Sequence, residues 1–324
     1  MKIMKIFFCL LSLVFCVSGC SADEDREDLI KTEKPYQQDI AVHEHRLTVE
    51  GLEEEFNLFF MADTHISLCD DRDSDIMEKA VSRYEMFRSK EGIGSEESFR
   101  DMIGYVTESN PDLLILGGDI LDSAMWKSID YVTESLQKLE FPWIYEMGNH
   151  DFEYGLEYFS PKCYSEYLPR LHEITDTYEG WQKIEYDEFI VFAVDDHNNQ
   201  ISEEALLAFQ EIYDLGKAVI LISHVPLEPQ TADDLWQKSN EVWGASANGN
   251  SRVLLGEHSC VPNEVTAEFI ELVTAAESPV LLVLSGHVHF YHEGKLTDKI
   301  QQIVTGAGFN RELVKITLVP EIME

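Results

Sequence analysis

Positive charge is what this chain has least of. Its 324 residues carry 24 Lys+Arg against 61 Asp+Glu, a formal net charge of −37 at pH 7. Residues 1–19 contribute only Lys2 and Lys5, so the remainder carries −39, two units more. A surface this acidic repels phosphate backbones and excludes non-specific nucleic-acid binding. Cysteine is also scarce. Of six, Cys9, Cys16 and Cys20 lie near the N-terminus, and Cys69, Cys163 and Cys260 are widely spaced with no CxxC pair. That excludes a disulfide framework and a cysteine-rich zinc site, and the last three read as ordinary thiols. No apolar run beyond residue 17 is long enough to span a bilayer, and there is no internal repeat. What is present, 44% hydrophobic and 11% aromatic residues, suffices for a large core and excludes general disorder.

The first 20 residues form a targeting pattern. Met1–Lys5 is basic, Ile6–Val17 is apolar but short for a membrane span, and Ser18-Gly19-Cys20 follows. Val17-Ser18-Gly19-Cys20 resembles the bacterial lipoprotein cleavage box, which implies removal of residues 1–19 and lipidation of Cys20. The expected place is then extracytoplasmic, with the lipid anchoring the protein to the bacterial cell membrane. Residues 20–40 are acidic and lack apolar periodicity, the pattern of a flexible tether. A domain over 41–324 follows.

Within that domain one arrangement recurs. Short apolar runs end directly in side chains able to bind metal. Phe56–Met61 leads to Asp63-Thr64-His65, Leu113–Leu116 to Gly118-Asp119, and Trp143–Met147 to Gly148-Asn149-His150-Asp151. Val219–Ile222 leads to His224, and Val280–Leu284 to Gly286-His287-Val288-His289. Each run has the composition of a buried strand. Ligands in layered α/β folds gather at carboxyl ends of strands, so five such ends can converge on one site. Amphipathic helices are predicted over Ile76–Ser89, Glu96–Glu108, Ser123–Leu139, Ser202–Leu215 and Glu264–Glu277. Further strands are predicted at Phe189–Val194 and at Lys295–Leu296, Ile300–Thr305 and Leu313–Leu318. Two packed sheets with helices outside fit this mixture.

Taken in order, these five motifs resemble the motif set of calcineurin-like metallophosphoesterases over roughly residues 50–318. The resemblance implies an α/β fold, a four-layer α/β/β/α sandwich of two mixed sheets. It also implies two divalent ions, Mn, Fe, Zn, Co or Ni, the metals that imidazole, carboxylate and amide oxygen suit. Asp63, His65 and His289 would hold one ion and Asn149, His224 and His287 the other, with Asp119 bridging. A bridging hydroxide would attack a phosphomonoester or phosphodiester, His150 would assist the leaving group, and Asp151 would orient its imidazole. A scaffold of the same fold, binding metal without turnover, is the alternative.

Two departures narrow the expectation. Asp122 stands three residues after Asp119, where purple acid phosphatases have a tyrosine, which argues against an iron–tyrosinate centre. The chain ends at Glu324, soon after the last strand-like run, where 5′-nucleotidases continue into a nucleoside-binding domain. Residues 227–262 have little periodicity and contain Trp236, Trp243 and Arg252, candidates for substrate contacts in a lid. Cys69–Asp75 is a candidate opposite rim. The other histidines, His43, His45, His172, His197, His258 and His292, lack the strand-end setting.

Overall fold

A computed structural model describes residues 40–152, 160–175, 180–244 and 253–321. The expected signal peptide, Cys20, nearly all of the tether and Arg252 lie outside the described residues.

Strand alternation builds two sheets. One contains β1 (Ala41–Val49), β2 (Phe56–Met61), β3 (Leu113–Gly117), β4 (Trp143–Glu146) and β11 (Glu312–Pro320), in the order β1-β11-β2-β3-β4. The other contains β5 (Trp181–Glu185), β6 (Phe189–Val194), β7 (Ala218–Ser223), β8 (Val280–Ser285), β9 (His292–Lys295) and β10 (Gln301–Val304), in the order β5-β6-β7-β8-β10-β9. Both sheets are mixed. β2, β3 and β4 are mutually parallel, as are β6, β7 and β8, while β11 runs antiparallel to β2 and β5 to β6.

Because successive strand side chains point to opposite faces, each central strand feeds two cores. Leu58 and Phe60 of β2 pack with Val191 of β6, Ile220 of β7 and Leu284 of β8 in the core between the sheets. Phe59 and Met61 turn the other way, toward a helical layer. That layer comprises α2 (Ser95–Ser109), α3 (Trp126–Leu136) and α4 (Pro161–Thr175). On the outer face of the second sheet, Phe192 and Leu221 meet Phe209 of α5 (Glu203–Leu215) and Phe269 of α7 (Glu264–Thr274). The result is the four-layer α/β/β/α sandwich. Two shorter helices, α1 (Met77–Met86) and α6 (Leu235–Trp243), complete the seven among the described residues.

The five helices expected from periodicity are present; four have trimmed ends, since amphipathic patterns outrun hydrogen-bonded turns, and α2 is one residue longer at each end. α5, for instance, starts where Ser202 Oγ accepts from Ala205 N and stops at Gly216, at φ 67°. β1, β5, α4 and α6 are additions to the sequence reading. No disulfide joins Cys69, Cys163 or Cys260. Among the described residues no helix is long and apolar enough to cross a membrane.

Candidate metal centre

The parallel strands deliver their chemistry at their carboxyl ends. β2 leads to Asp63 and His65, β3 to Asp119, β4 to the short 3-10 turn Asn149–Asp151, β7 to His224, and β8 to His287 and His289. Backbone bonds extend the strand pairing into these loops: Asp63 N donates to Gly118 O (3.0 Å), His65 N to Asp119 O (2.9 Å) and Gly286 N to His224 O (3.0 Å). Five of the candidate ligands adopt the left-handed backbone region: Asp63 (φ 55°), His65 (52°), Asp119 (52°), His287 (71°) and His289 (58°). That conformation costs about 1–2 kcal/mol per non-glycine residue, and it turns consecutive ligands into one centre. Two glycines let the loops close up. Gly118 sits at φ 89°, where a Cβ would come within 2.5 Å of His224 Nδ1, and a Cβ on Gly286 would lie 2.6 Å from Asp63 Oδ2.

Two donor groups result. In the first, His65 Nε2 and His289 Nε2 are 3.0 Å apart, and Asp63 Oδ1 lies 3.4 Å from His289 Nε2 and 3.9 Å from His65 Nε2. The second gathers Asp119, His224 and His287, all within ion-binding reach of one another. Asp119 stands between the groups: its Oδ2 is 3.1 Å from His224 Nε2 and 3.8 Å from His65 Nε2. Its Oδ1 is held by His150 N at 2.7 Å.

The donor chemistry fits divalent cations. His224 Nδ1 donates to Gly117 O at 2.9 Å, which turns Nε2 toward Asp119 as the nitrogen that can ligate once it sheds its proton. The buried amide oxygen Asn149 Oδ1 has no hydrogen-bond partner. A buried acceptor without a donor costs about 1–3 kcal/mol, a cost that a coordinated cation removes. His65 follows the same logic, with Nδ1 3.2 Å from Asp122 Oδ1 and Nε2 aimed at His289. Its ring stacks on Phe87 at 3.9 Å.

Protonation in the bare site reflects the crowding. Burial lowers His65 to about 4 and keeps it neutral. Burial opposes charge on His224 too, but Asp119 and then Asp63 outweigh it and raise its pKa well above the ordinary value. Burial would raise Asp119, yet His224 and His150 hold it well below the usual carboxylate range.

Around His150 the structure adds two residues and corrects one. Asp151 was expected to orient the His150 imidazole. Instead, its Oδ1 accepts from Leu121 N (2.8 Å) and Tyr145 OH (2.7 Å), and its Oδ2 from Asp119 N (2.9 Å) and Gly148 N (2.7 Å). The 3-10 turn sends neighbouring side chains in different directions, so Asp151 ties the β3 and β4 loops together. The carboxylate facing His150 Nδ1 is Asp122, at 3.2 Å. Asp122 is in turn gripped by Arg83 of α1, whose Nε donates to Oδ2 (2.8 Å) and Nη2 to Oδ1 (2.6 Å). The spacing Gly118-Asp119-x-x-Asp122 was the available signal for Asp122. Nothing in the sequence sets Arg83 apart from the other 23 basic side chains.

The proposed substrate contacts separate. Trp243 is 45% exposed at the end of α6, its Nε1 donates to Val288 O (3.0 Å), and its ring lies 5.4 Å from His289. Trp236 packs into an apolar cluster with Leu235, Leu254, Val288 and Val304. Cys69 packs with Ala80 of α1 and Met125. His292 sits apart from both donor groups, with Nε2 2.9 Å from Asp234 Oδ1.

Two outcomes follow from this geometry. An Asp151→Asn amide would set an N–H against one of four donors, and we expect about 2–4 kcal/mol lost in urea unfolding. A loss below about 0.5 kcal/mol contradicts the tie. Because His224 is raised, at pH 7 it must shed its proton before Nε2 can ligate. Binding of Mn2+ is therefore expected to release about one proton per protein, and affinity to fall as pH drops. Calorimetry in buffers of different ionisation enthalpy measures this; identical heats in all of them would contradict it.

Comparison with known proteins agrees with this geometry. A family model for calcineurin-like phosphoesterases matches residues 56–291. No curated protein matches the sequence. Among solved structures, a dimetal phosphatase from Danio rerio is similar at 14% identity and a TM-score of 0.51, over 81% of this chain and 92% of that one. A purple acid phosphatase from yellow lupin is similar at 13% identity and a TM-score of 0.48, over 85% of this chain and 47% of that one. A putative 5′-nucleotidase from Staphylococcus aureus is similar at 13% identity and 0.45, over 83% and 51%. The chain thus spans about half the length of the latter two. With the family model covering all five ligand loops, the chain belongs to the calcineurin-like phosphoesterase family.

Proposed function

We propose that this phosphoester hydrolase works through two divalent ions shared by the strand-end loops, with His150 assisting departure of the leaving group. One observation carries the reading: the Asp119 carboxylate lies between His65 and His224, its Oδ2 3.8 Å from the Nε2 of the first and 3.1 Å from the Nε2 of the second. Asp63, His65 and His289 would hold one ion, and Asn149, His224 and His287 the other, with Asp119 common to both. Two such ions supply an activated water and a clamp for the phosphoryl oxygens.

The chain's own groups do the rest. Asp119 accepts from the His150 amide, which ties the candidate bridge to the residue that would assist the leaving group. Asp122 faces His150 Nδ1, which leaves Nε2 to protonate the leaving oxygen or steady the phosphoryl group. In the metal-free site burial lowers the His150 pKa, but Asp119 first and Asp122 next raise it above the ordinary value. Trp243, beside His289, offers a flat surface for a leaving group; Arg252 and Trp236 remain candidates from the sequence. Lys2, Lys5, the apolar run and Cys20 support an extracytoplasmic lipoprotein, tethered to the membrane through residues 20–40.

The test is hydrolysis of p-nitrophenyl phosphate and bis-p-nitrophenyl phosphate by metal-free protein reloaded with Mn2+ or Zn2+. We expect metal-dependent turnover of at least one ester. His150→Ala is expected to lower kcat about 10²–10⁴-fold with two ions still bound. No turnover of either ester by folded, metal-loaded protein would overturn the reading, and loss of metal from His150→Ala would make His150 a ligand.

A further inference from the structure

The turn between β8 and β9 carries His287 and His289, candidate ligands for different ions, and its backbone is strained. Both residues occupy the left-handed region, at φ 71° and 58°, with the buried Val288 between them. α6 and the two residues before it meet this turn at four places. Trp243 Nε1 donates to Val288 O (3.0 Å), the carbonyl that joins Val288 to His289. Lys238 Nζ donates to Tyr291 O (2.8 Å) and lies 4.6 Å from the centre of the Phe290 ring. Asp234 Oδ1 is 2.9 Å from His292 Nε2, and Asp233 Oδ2 accepts from Lys295 N (3.1 Å). Leu235 and Trp236 pack with Val288 and Phe290 in one apolar cluster. From Asp233 to Trp243 the partners run backwards from Lys295 to Val288, so the helix lies along the turn in the opposite chain direction.

We infer that α6 is a splint for this turn, with Trp243 and Lys238 as positioning residues that hold His287 and His289 in place for metal. The inference rests on the dinuclear reading above. It gives Trp243 a role through its indole N–H, separate from any contact its ring makes with substrate. Val288 is the single residue between the two histidines, so fixing its carbonyl fixes both donor groups together. A turn free to relax from its left-handed backbone would carry His289 Nε2 away from His65 Nε2, now 3.0 Å distant, and His287 away from Asp119 and His224. The Lys238 bond is charge-assisted, and the Trp243 bond comes from a rigid ring, so both resist that relaxation.

The experiment compares full-length wild type, Trp243→Phe, Lys238→Met and Lys238→Arg. Trp243→Phe keeps an aromatic face and removes the N–H; Lys238→Met removes the charged donor and Lys238→Arg restores one. Hydrogen exchange by mass spectrometry reads the turn in metal-free protein, and calorimetry with Mn2+ reads its consequence. One hydrogen bond is worth about 2–10-fold in an equilibrium, so exchange across residues 287–292 should quicken by that factor in Trp243→Phe and Lys238→Met. Peptides from β2 and β3 should exchange as in wild type. Mn2+ affinity should fall by a similar factor, because binding must then order the turn, and Lys238→Arg should recover most of both losses. Wild-type Mn2+ affinity in Trp243→Phe and Lys238→Met would overturn the inference, and so would faster exchange spread evenly over the chain. If Trp243→Phe misfolds, the Lys238 pair decides: Met must loosen residues 287–292 and weaken Mn2+ binding, and Arg must reverse both, or the inference fails. The same losses in a chain that binds Mn2+ but hydrolyses neither ester would leave the splint standing and sink the hydrolase reading alone.

Discussion

The rest of the centre depends on the Asp119 carboxylate. One oxygen is fixed by the His150 amide, the other lies between His224 and His65, and its own amide is held by Asp151. Buried among histidines, it is the point at which both sheets' loops meet: His65 and His150 come from the first sheet and His224 from the second. Moving it would alter ligand geometry and the placement of His150 together. Asp151, which accepts from four donors, is the anchor behind it.

The local chemistry reverses the character of the whole molecule. The chain is strongly anionic, yet its centre gathers imidazoles, an amide oxygen and carboxylates, a donor set suited to cations, with Arg83 alongside. A negative surface discourages polyanions while the centre can still attract a small phosphoester. The geometry has an internal cost in five left-handed candidate ligands and in the buried Asn149 amide oxygen without a donor. The sandwich beneath, with apolar side chains on both faces of each central strand, is what can hold that strain in place.

The candidate ligands were legible in the sequence because central parallel strands are buried on both faces and read as continuous apolar runs, so the polar residues that end them stand out. Edge and surface elements lacked that contrast. β1 reads Ala-Val-His-Glu-His-Arg-Leu-Thr-Val, an edge strand whose ionisable residues hide its alternation, and its nine pairs with β11 decide its structure. α4 contains Pro169 along with tyrosines and charges, and α6 buries only Leu235 and Ser239, too narrow a stripe to show as periodicity. Asp151 was misread because adjacency in sequence suggested adjacency to the imidazole, and the 3-10 turn breaks that link. Arg83 reaches the centre through the packing of α1, a tertiary placement that no local pattern encodes.

The most direct measurement of the central claim is anomalous diffraction from crystals loaded with Mn2+. The account predicts two peaks about 3.5–4 Å apart on either side of the Asp119 carboxylate, one beside His65 and His289 and one beside His224 and His287. A single peak, or two peaks neither of which touches Asp119, would contradict it.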